Sequence, residues 1–500
     1  MNKSMLRLSE IDDVAVATVD LERGAHALGV EALQRIPAGH KLALRDLRQG
    51  DFVRKYAHVI GRATADISRG EHVHTHNLSA DGVESDGQAK SLDPFVLNAG
   101  PLPTTFNGFL RRDGRVGTRN YVGILTTVNC SASVARAIAR ALEGEAAALA
   151  PQIDGVVALG HGSGCALGGN GLGIKLLQRT LRGYLDHPNF AAVLVIGLGC
   201  ETNQLTGFTH DVDLSRCKML EIQKEGGTAA AVKRGIKIVR GLMLAAATAV
   251  RASAPISHLC IGLQCGGSDG LSGITANPAL GIACDLMVAA GGTCILSETP
   301  EVYGAEGLLI DRAVNTTVAD ALRARLAWWQ RHAQAHGGSM DDNPSHGNKT
   351  GGLTTILEKS LGAIAKAGHS PLVHVYDYAE RITHHGFVFM DSPGYDPTSA
   401  TGQIASGANL LAFTTGRGSV FGSIPAPCLK IATNSTLFNH MQGDMDLNAG
   451  TIAEGLETVE VVGRRLFNAL IDMANGKQSK SEGLGIGEAE FVPWVPDAVM

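Results

Sequence analysis

The stretch AVLVIGLGCETNQ, residues 192–204, decides the reading of this chain. It is a short apolar run that stops at glycine, a cysteine and an acid. Such a run reads as a strand buried on both faces, the kind a parallel sheet requires. Three other segments share the build: YVGILTTVNC (121–130), GVVALGHGSGC (155–165) and SHLCIGLQCGGSDG (257–270). Between them lie Ala/Leu-rich amphipathic stretches, ASVARAIARALEGEAAALA (132–150) and AVKRGIKIVRGLMLAAATAVRA (231–252). Strand and helix in alternation predict an α/β fold with mostly parallel sheets covered by helices.

Composition narrows the function. With 500 residues, 44% of them hydrophobic and 18% charged, the chain is long enough for two or three domains. A formal net charge of -5 leaves no basic footprint for a phosphate backbone, so nucleic acid is not an expected partner. The segment MNKSMLRLSEIDDVAVATVD lacks the apolar core of a signal peptide, and no apolar stretch is long enough to span a membrane, so a cytoplasmic protein is expected. In a reducing compartment the nine cysteines read as thiols, ligands or nucleophiles rather than disulfides.

Residues 1–77 hold short β-type runs, DDVAVATVDL, HKLALRDL, DFVRKYAHVIGRATADI and EHVHTHNL, which predict a small β-rich domain. Residues 78–105, rich in Gly, Ser, Asp and Pro, read as a linker. The α/β pattern follows over 106–335. The polar interruption HAQAHGGSMDDNPSHGNKTGG (332–352) is either a functional loop or the start of a second α/β part over 336–500.

The four apolar runs each deliver a thiol at or just past their C-terminal end: Cys130, Cys165, Cys200 and Cys265. Ligands bind outside the carboxyl ends of strands in open α/β sheets. The four cysteines are therefore expected in one pocket, as thiolate ligands of iron, zinc or a [4Fe-4S] cluster. His161, Glu201 and Asp269 sit at the same strand ends as candidate proton-transfer groups, and Glu298 and Glu301 close the run TCILSETPE. In the small domain, GEHVHTHN places His72, His74 and His76 at alternate positions. On a straight strand the outer two stand about 13 Å apart, so all three cannot bind one ion without a bend, whereas a pair such as His74 and His76 can, with help from Asn77 or another segment. His40, Lys41, Lys55 and Tyr56 add a candidate catalytic imidazole and anion-binding donors. Asn343, Asn348 and Lys349 in NPSHGNKTGG, with Arg417 in TTGRG, are the candidate substrate-binding groups, because cationic side chains beside glycine amides suit a carboxylate.

Ten segments then carry a resemblance: IPAGHKLALRDL, GRATADISRGEHVHTHN, RVGTRN, VIGLGCE, QCGGSDGLSGITANP, NPSHGNKTGGLTT, EKSLGAIAKAG, FTTGRG, KIATNS and DLNAGTIAEG. They run in order from about residue 36 to about 456 and resemble the altronate/galactarate dehydratase family. The resemblance implies an N-terminal SAF-type domain and dehydration of a sugar acid to a 2-keto-3-deoxy product with Fe2+ or Mn2+. HVHTHN resembles the altronate branch, whereas DLNAGTIAEGLETVEVVG looks more like the galactarate branch. Altronate is the first candidate substrate and galactarate the second. A sulfo-lyase acting on a sulfonated hydroxy acid would use the same elimination chemistry, and a non-catalytic sugar-acid sensor is the reading from another class. A Rossmann oxidoreductase fails for want of G-x-G-x-x-G at the first strand–helix turn. A homo-oligomer, a dimer, is the expected assembly.

Overall fold

A computed structural model of the chain describes residues 4–83, 97 and 99–497. Most of the expected linker, residues 84–96 and 98, lies outside the described residues. Its two flanks are ordered: Leu78–Ser79 pairs with His58–Ala63, and Thr105–Leu110 pairs with Arg251–Pro255.

The α/β expectation holds, and the apolar runs form two parallel sheets. In the first, β1 (Tyr121–Thr126), β2 (Gly155–Leu159), β3 (Phe190–Gly197) and β4 (Cys217–Glu221) lie in the order β2-β1-β3-β4. Helices α1 (Asn129–Leu149), α2 (Leu172–Asp186) and α3 (Thr228–Ala246) connect and cover them. All six residues of β1 are buried, as a strand covered on both faces demands.

The second sheet has seven parallel strands: β5 (Cys260–Cys265), β6 (Thr293–Leu296), β7 (Leu372–Tyr376), β8 (Gly386–Met390), β9 (Leu410–Thr415), β10 (Cys428–Ala432) and β11 (Leu447–Asn448). Their order is β7-β8-β6-β5-β9-β10-β11. Around them pack α4 (Ala276–Ala289), α5 (Thr316–Ala335), α6 (Ile356–Ile364), α7 (Asp396–Ser406) and α8 (Val459–Ala474). The expected boundary at residue 335 does not divide the sheets. Strands β5 and β6 precede it and lie in the middle of the sheet that β7 to β11 complete. The division falls near residue 250 instead, because parallel pairing joins strands far apart in sequence and a polar loop need not end a domain.

The N-terminal β domain forms as expected from short antiparallel strands. Met5–Leu6, Val14–Ala17, Lys41–Ala43 and His72–Val73 make one sheet, and Phe52–Lys55, His58–Ala63 and Leu78–Ser79 another. It is packed hard against the seven-stranded region. Val14, Val53, Ile60 and Val73 share one apolar core with Ile261, Leu280 and Leu410.

Candidate functional site

The docking of the small domain brings two glycine-rich turns within backbone contact. A Cβ on Gly270 would meet the Gly39 carbonyl at 1.9 Å, and one on Gly39 would meet the Gly351 carbonyl at 2.9 Å. Only glycine permits so close an approach. Gly270 N donates to Gly351 O at 2.8 Å, which ties CGGSDG to the loop NPSHGNKTGG.

Across this junction runs a buried ion triplet. Lys41 Nζ lies 2.8 Å and Lys55 Nζ 2.9 Å from the Glu358 carboxylate, and none of the three side chains is more than 1% exposed. Burial alone would raise Glu358, but the two ammoniums hold it down at about 2. Burial pushes Lys41 down to about 8. Two cations of the small domain thus clasp one anion of the large one.

Beside the clasp three imidazoles converge. His40, His72 and His74 present ring nitrogens all within 4.8 Å of one another. His40 Nδ1 is 2.9 Å from His72 Nε2, and His40 Nε2 is 3.1 Å from Thr350 O. Burial, with the surrounding imidazoles and Lys41, pushes His72 down to about 3 and His74 to about 4, so both rings are neutral. Of the expected pair, His74 belongs to this group, whereas His76 lies outside it with its ring centroid 5.5 Å from that of His72. The strand stops at Val73, and Asn77 Oδ1 caps a turn by accepting from His74 N at 2.9 Å. The turn breaks the two-residue alternation, so His72 and His74 stack with ring centroids 5.4 Å apart and His76 is left exposed. Neutral imidazoles gathered this closely are a donor set for a borderline divalent metal.

A second cluster lies behind the same loops. Cys265, at the end of β5, offers its sulfur within 4.8 Å of carboxylate oxygens of Glu298 and Glu301. Lys366 Nζ already occupies this group, 2.8 Å from Cys265 Sγ and 3.0 Å from Glu298 Oε2. Lys359 Nζ stands 2.9 Å from Glu301 Oε1. Burial pushes Glu298 up to about 8, Asp396 to about 7 and the Cys265 thiol to about 12. Glu298 also adopts left-handed backbone, φ 67°, and its Oε1 is buried without a hydrogen-bond partner among the described residues. Strain at a non-glycine residue and an orphaned buried acceptor mark a functional position. Carboxyls pushed toward neutrality beside two ammoniums are suited to holding and releasing protons near neutral pH.

Asn348 ties the loop that carries Thr350 to the second cluster. Its Nδ2 donates to Ser268 O at 2.9 Å and its Oδ1 accepts from Lys359 Nζ at 3.3 Å. Asn343 Oδ1 accepts from the same ammonium at 2.7 Å. Both asparagines, expected on substrate, therefore have positioning partners within the protein. Lys349 lies half-buried on the short helix His346–Thr350, and the exposed Arg417 runs along Gly351 beside Asp269.

Several expected catalytic groups are held by other bonds. Asp269 is fully engaged with Ser272 Oγ, Leu271 N, Thr433 Oγ1 and Asn434 Nδ2, and it pins the ends of β5 and β10 together. Glu201 accepts from Thr127 Oγ1 at 2.5 Å and from Gly199 N at 2.6 Å. Burial would raise its carboxyl, but these donors hold it below the ordinary value. His161 is pushed down to about 4 by burial; its Nε2 is 3.0 Å from Thr126 O and its Nδ1 accepts from Ser163 N. Both belong to the four-stranded sheet and tie its loops. The four cysteines do not share one pocket. Cys265 ends a strand of the other sheet and is buried with Lys366, while Cys130, Cys165 and Cys200 are exposed on the four-stranded sheet.

Lys359, Lys366 and Glu358 were not among the expected site residues. Their signal is EKSLGAIAKAG, where Lys359 and Lys366, seven apart, fall on one helical face of an otherwise apolar segment. Charges there have no solvent and must have partners.

Comparison with known proteins places similarity along nearly the whole chain. Residues 3–81 match the altronate/galactarate dehydratase SAF domain. Residues 108–247 match the second domain of D-galactarate dehydratase/altronate hydrolase, and residues 256–499 the C-terminal domain of D-galactarate/altronate dehydratase. The chain is 37% identical to an altronate dehydratase of Bacillus subtilis (strain 168) over 485 residues, 95% of this chain and 96% of the relative. It is 36% identical to an altronate dehydratase of Escherichia coli (strain K12) over 95% of this chain and 96% of the relative. It is also 37% identical to a galactarate dehydratase (L-threo-forming) of the same organism over 95% of this chain and 93% of the relative. Among the described residues no helix is long and apolar enough to cross a membrane.

Proposed function

The chain belongs to the galactarate and altronate dehydratase family of sugar-acid hydro-lyases, and we propose that altronate is its substrate, dehydrated to a 2-keto-3-deoxy acid with a divalent metal. Loss of water across C2 and C3 requires a base for the C2 proton, a sink for charge developing on the carboxylate and an acid for the C3 hydroxyl.

The observation that carries the reading is the convergence of His40, His72 and His74 against the backbone of Thr350, one residue from the Gly351 over which Arg417 lies. Three neutral imidazoles fit Fe2+ better than Mn2+, which prefers oxygen ligands. The ion, when bound, supplies a Lewis acid for carboxylate and hydroxyl oxygens. The chain's own groups do the rest. Arg417 and Lys349 hold the substrate carboxylate and fix its plane. Glu298 Oε1, which has no partner among the described residues, takes the C2 proton in the enzyme whose Glu298 is ionised, the form that Lys366 Nζ on Oε2 favours against burial. Asp396, whose carboxyl lies against Gly266 next to Cys265 and is pushed upward by burial and by Glu301, is assigned as the acid for the departing hydroxyl. The histidine-bearing turn, which resembles the altronate branch, favours altronate over galactarate.

Anaerobic enzyme supplied with ferrous iron should form a keto acid from altronate, read as its semicarbazone. Keto acid from galactarate alone would reassign the substrate. Release of sulfite from a sulfonated hydroxy acid, with no turnover of either sugar acid, would replace dehydration by sulfo-lyase chemistry. Binding of sugar acids without turnover would leave a sensor.

A further inference from the structure

The three cysteines left on the four-stranded sheet have no part in the site above. Their strands are neighbours, in the order β2-β1-β3, and end level with one another, with Leu125 opposite Leu159 and Thr126 opposite Ile196. At a spacing of about 4.8 Å between strands, the three chain exits lie within about 10 Å. Each exit carries one thiol: Cys165 after β2, Cys130 after β1 and Cys200 after β3.

Hydrogen bonds join these exits pairwise into a closed ring. Asn129 N donates to Ser163 O at 2.9 Å and Asn129 Nδ2 to His161 O at 3.2 Å, which joins the Cys130 and Cys165 loops. Asn203 N donates to Gly164 O at 3.0 Å, joining the Cys200 and Cys165 loops. Asn203 Nδ2 donates to Thr127 O at 2.9 Å and Thr127 Oγ1 to Glu201 at 2.5 Å, joining the Cys200 and Cys130 loops. Cys165 is flanked by left-handed backbone at Gly164, φ 102°, and Ala166, φ 54°. A Cβ at Gly164 would stand 2.2 Å from Thr127 O, so the loops are pressed together as tightly as glycine allows.

All three thiols are free and exposed, whereas the other six cysteines are buried or half-buried. Packing, the usual reason for a cysteine in a fold, does not account for them. Thiolates on a single ion, at about 2.3 Å from it, stand about 3.8 Å apart. Of the two ligand sets that close to within 4.8 Å among the described residues, neither contains these cysteines. Three thiols set wider around one rim suit a larger inorganic core. Cys130 also lies in the first turn of the 21-residue α1, where helix amides favour a negatively charged assembly.

We propose that Cys130, Cys165 and Cys200 are the three protein ligands of a [4Fe-4S] cluster, separate from the histidine site. Each thiol gives up its proton to bind one iron, and the fourth iron, without a cysteine, takes an oxygen donor such as water or a hydroxy acid.

The test is anaerobic reconstitution of the full chain with ferrous and ferric iron plus sulfide, followed by gel filtration. Wild type should retain about four iron and four sulfide per chain, beyond any iron at the histidine site, with visible thiolate-to-iron absorption. Cys130→Ser, Cys165→Ser and Cys200→Ser should each cut retained sulfide several-fold, and the triple variant should retain none. Cys428→Ser, at a buried position on β10, should match wild type, and unchanged circular dichroism would show that the variants fold. Retention of sulfide by the triple variant, or uptake of zinc or iron with no sulfide by the wild type, would overturn the proposal. The readout is iron and sulfide content, so it stands or falls apart from the turnover of altronate.

Discussion

His40 Nδ1 lies 2.9 Å from His72 Nε2, although the two residues are 32 apart in sequence: His40 immediately precedes Lys41–Ala43, the antiparallel neighbour of the strand His72–Val73. Two neutral ring nitrogens at that separation share a proton or a ligand, and His74 completes the group. In protein loaded with ferrous iron without sulfide, His72→Ala and His74→Ala should each lower the iron held at the histidine site about tenfold or more, and turnover with it. The exposed His76 should matter far less: His76→Ala should keep most of the metal. Metal analysis alongside initial rates separates the two, and a His76 variant as metal-poor as the His72 variant would move the ligand set.

Arg417 and Lys349 are assigned to the substrate carboxylate. Arg417→Ala should raise KM for altronate about tenfold or more and leave the metal content unchanged, whereas Arg417→Lys should recover part of the loss. A bidentate guanidinium cannot be fully replaced by a point charge.

Lys366 is assigned to proton handling rather than binding. Lys366→Met should lower kcat by about 10²-fold or more with little change in KM. An effect confined to KM would return the cluster to a structural role.

Glu358 holds two buried ammoniums, and Glu358→Gln leaves both without a counter-ion. Removing one partner of a buried ion group costs about 3–5 kcal/mol. Urea unfolding should show a loss of that order, and Lys41→Met paired with Glu358→Gln should recover part of it.

His187 is fully buried, with Nε2 3.0 Å from Ala408 O, and burial pushes it from 6.5 down to about 3. The unfolded chain therefore binds a proton there that the fold refuses between about pH 6.5 and 3. The contribution is complete above pH 6.5 and is lost as pH falls, by up to about 1.4 kcal/mol per pH unit. Thermal unfolding from pH 7.5 to 4.5 should show that slope, and His187→Gln should flatten it while lowering Tm at pH 7.5.

The apolar runs, their termination at glycine and the two-residue alternation of the first 77 residues were enough to predict an α/β chain with a small β domain in front, because those patterns follow from which faces of a strand or helix are buried. The family resemblance was legible for the same local reason: it rests on contiguous motifs. What only tertiary structure decided is which of the sequence's candidates meet. Four cysteines at four strand ends looked equivalent, but the strands belong to two sheets, so Cys265 joined Lys366 and the other three follow neighbouring strands of the four-stranded sheet. The turn capped by Asn77 exchanged His76 for His72. Glu358, Lys359 and Lys366 acquired their roles only when a buried helix set them against Lys41, Lys55, Glu301 and Glu298. Periodicity tells which face a residue occupies. It does not tell what will be packed against that face, and a buried charge takes its meaning from the partner that packing supplies.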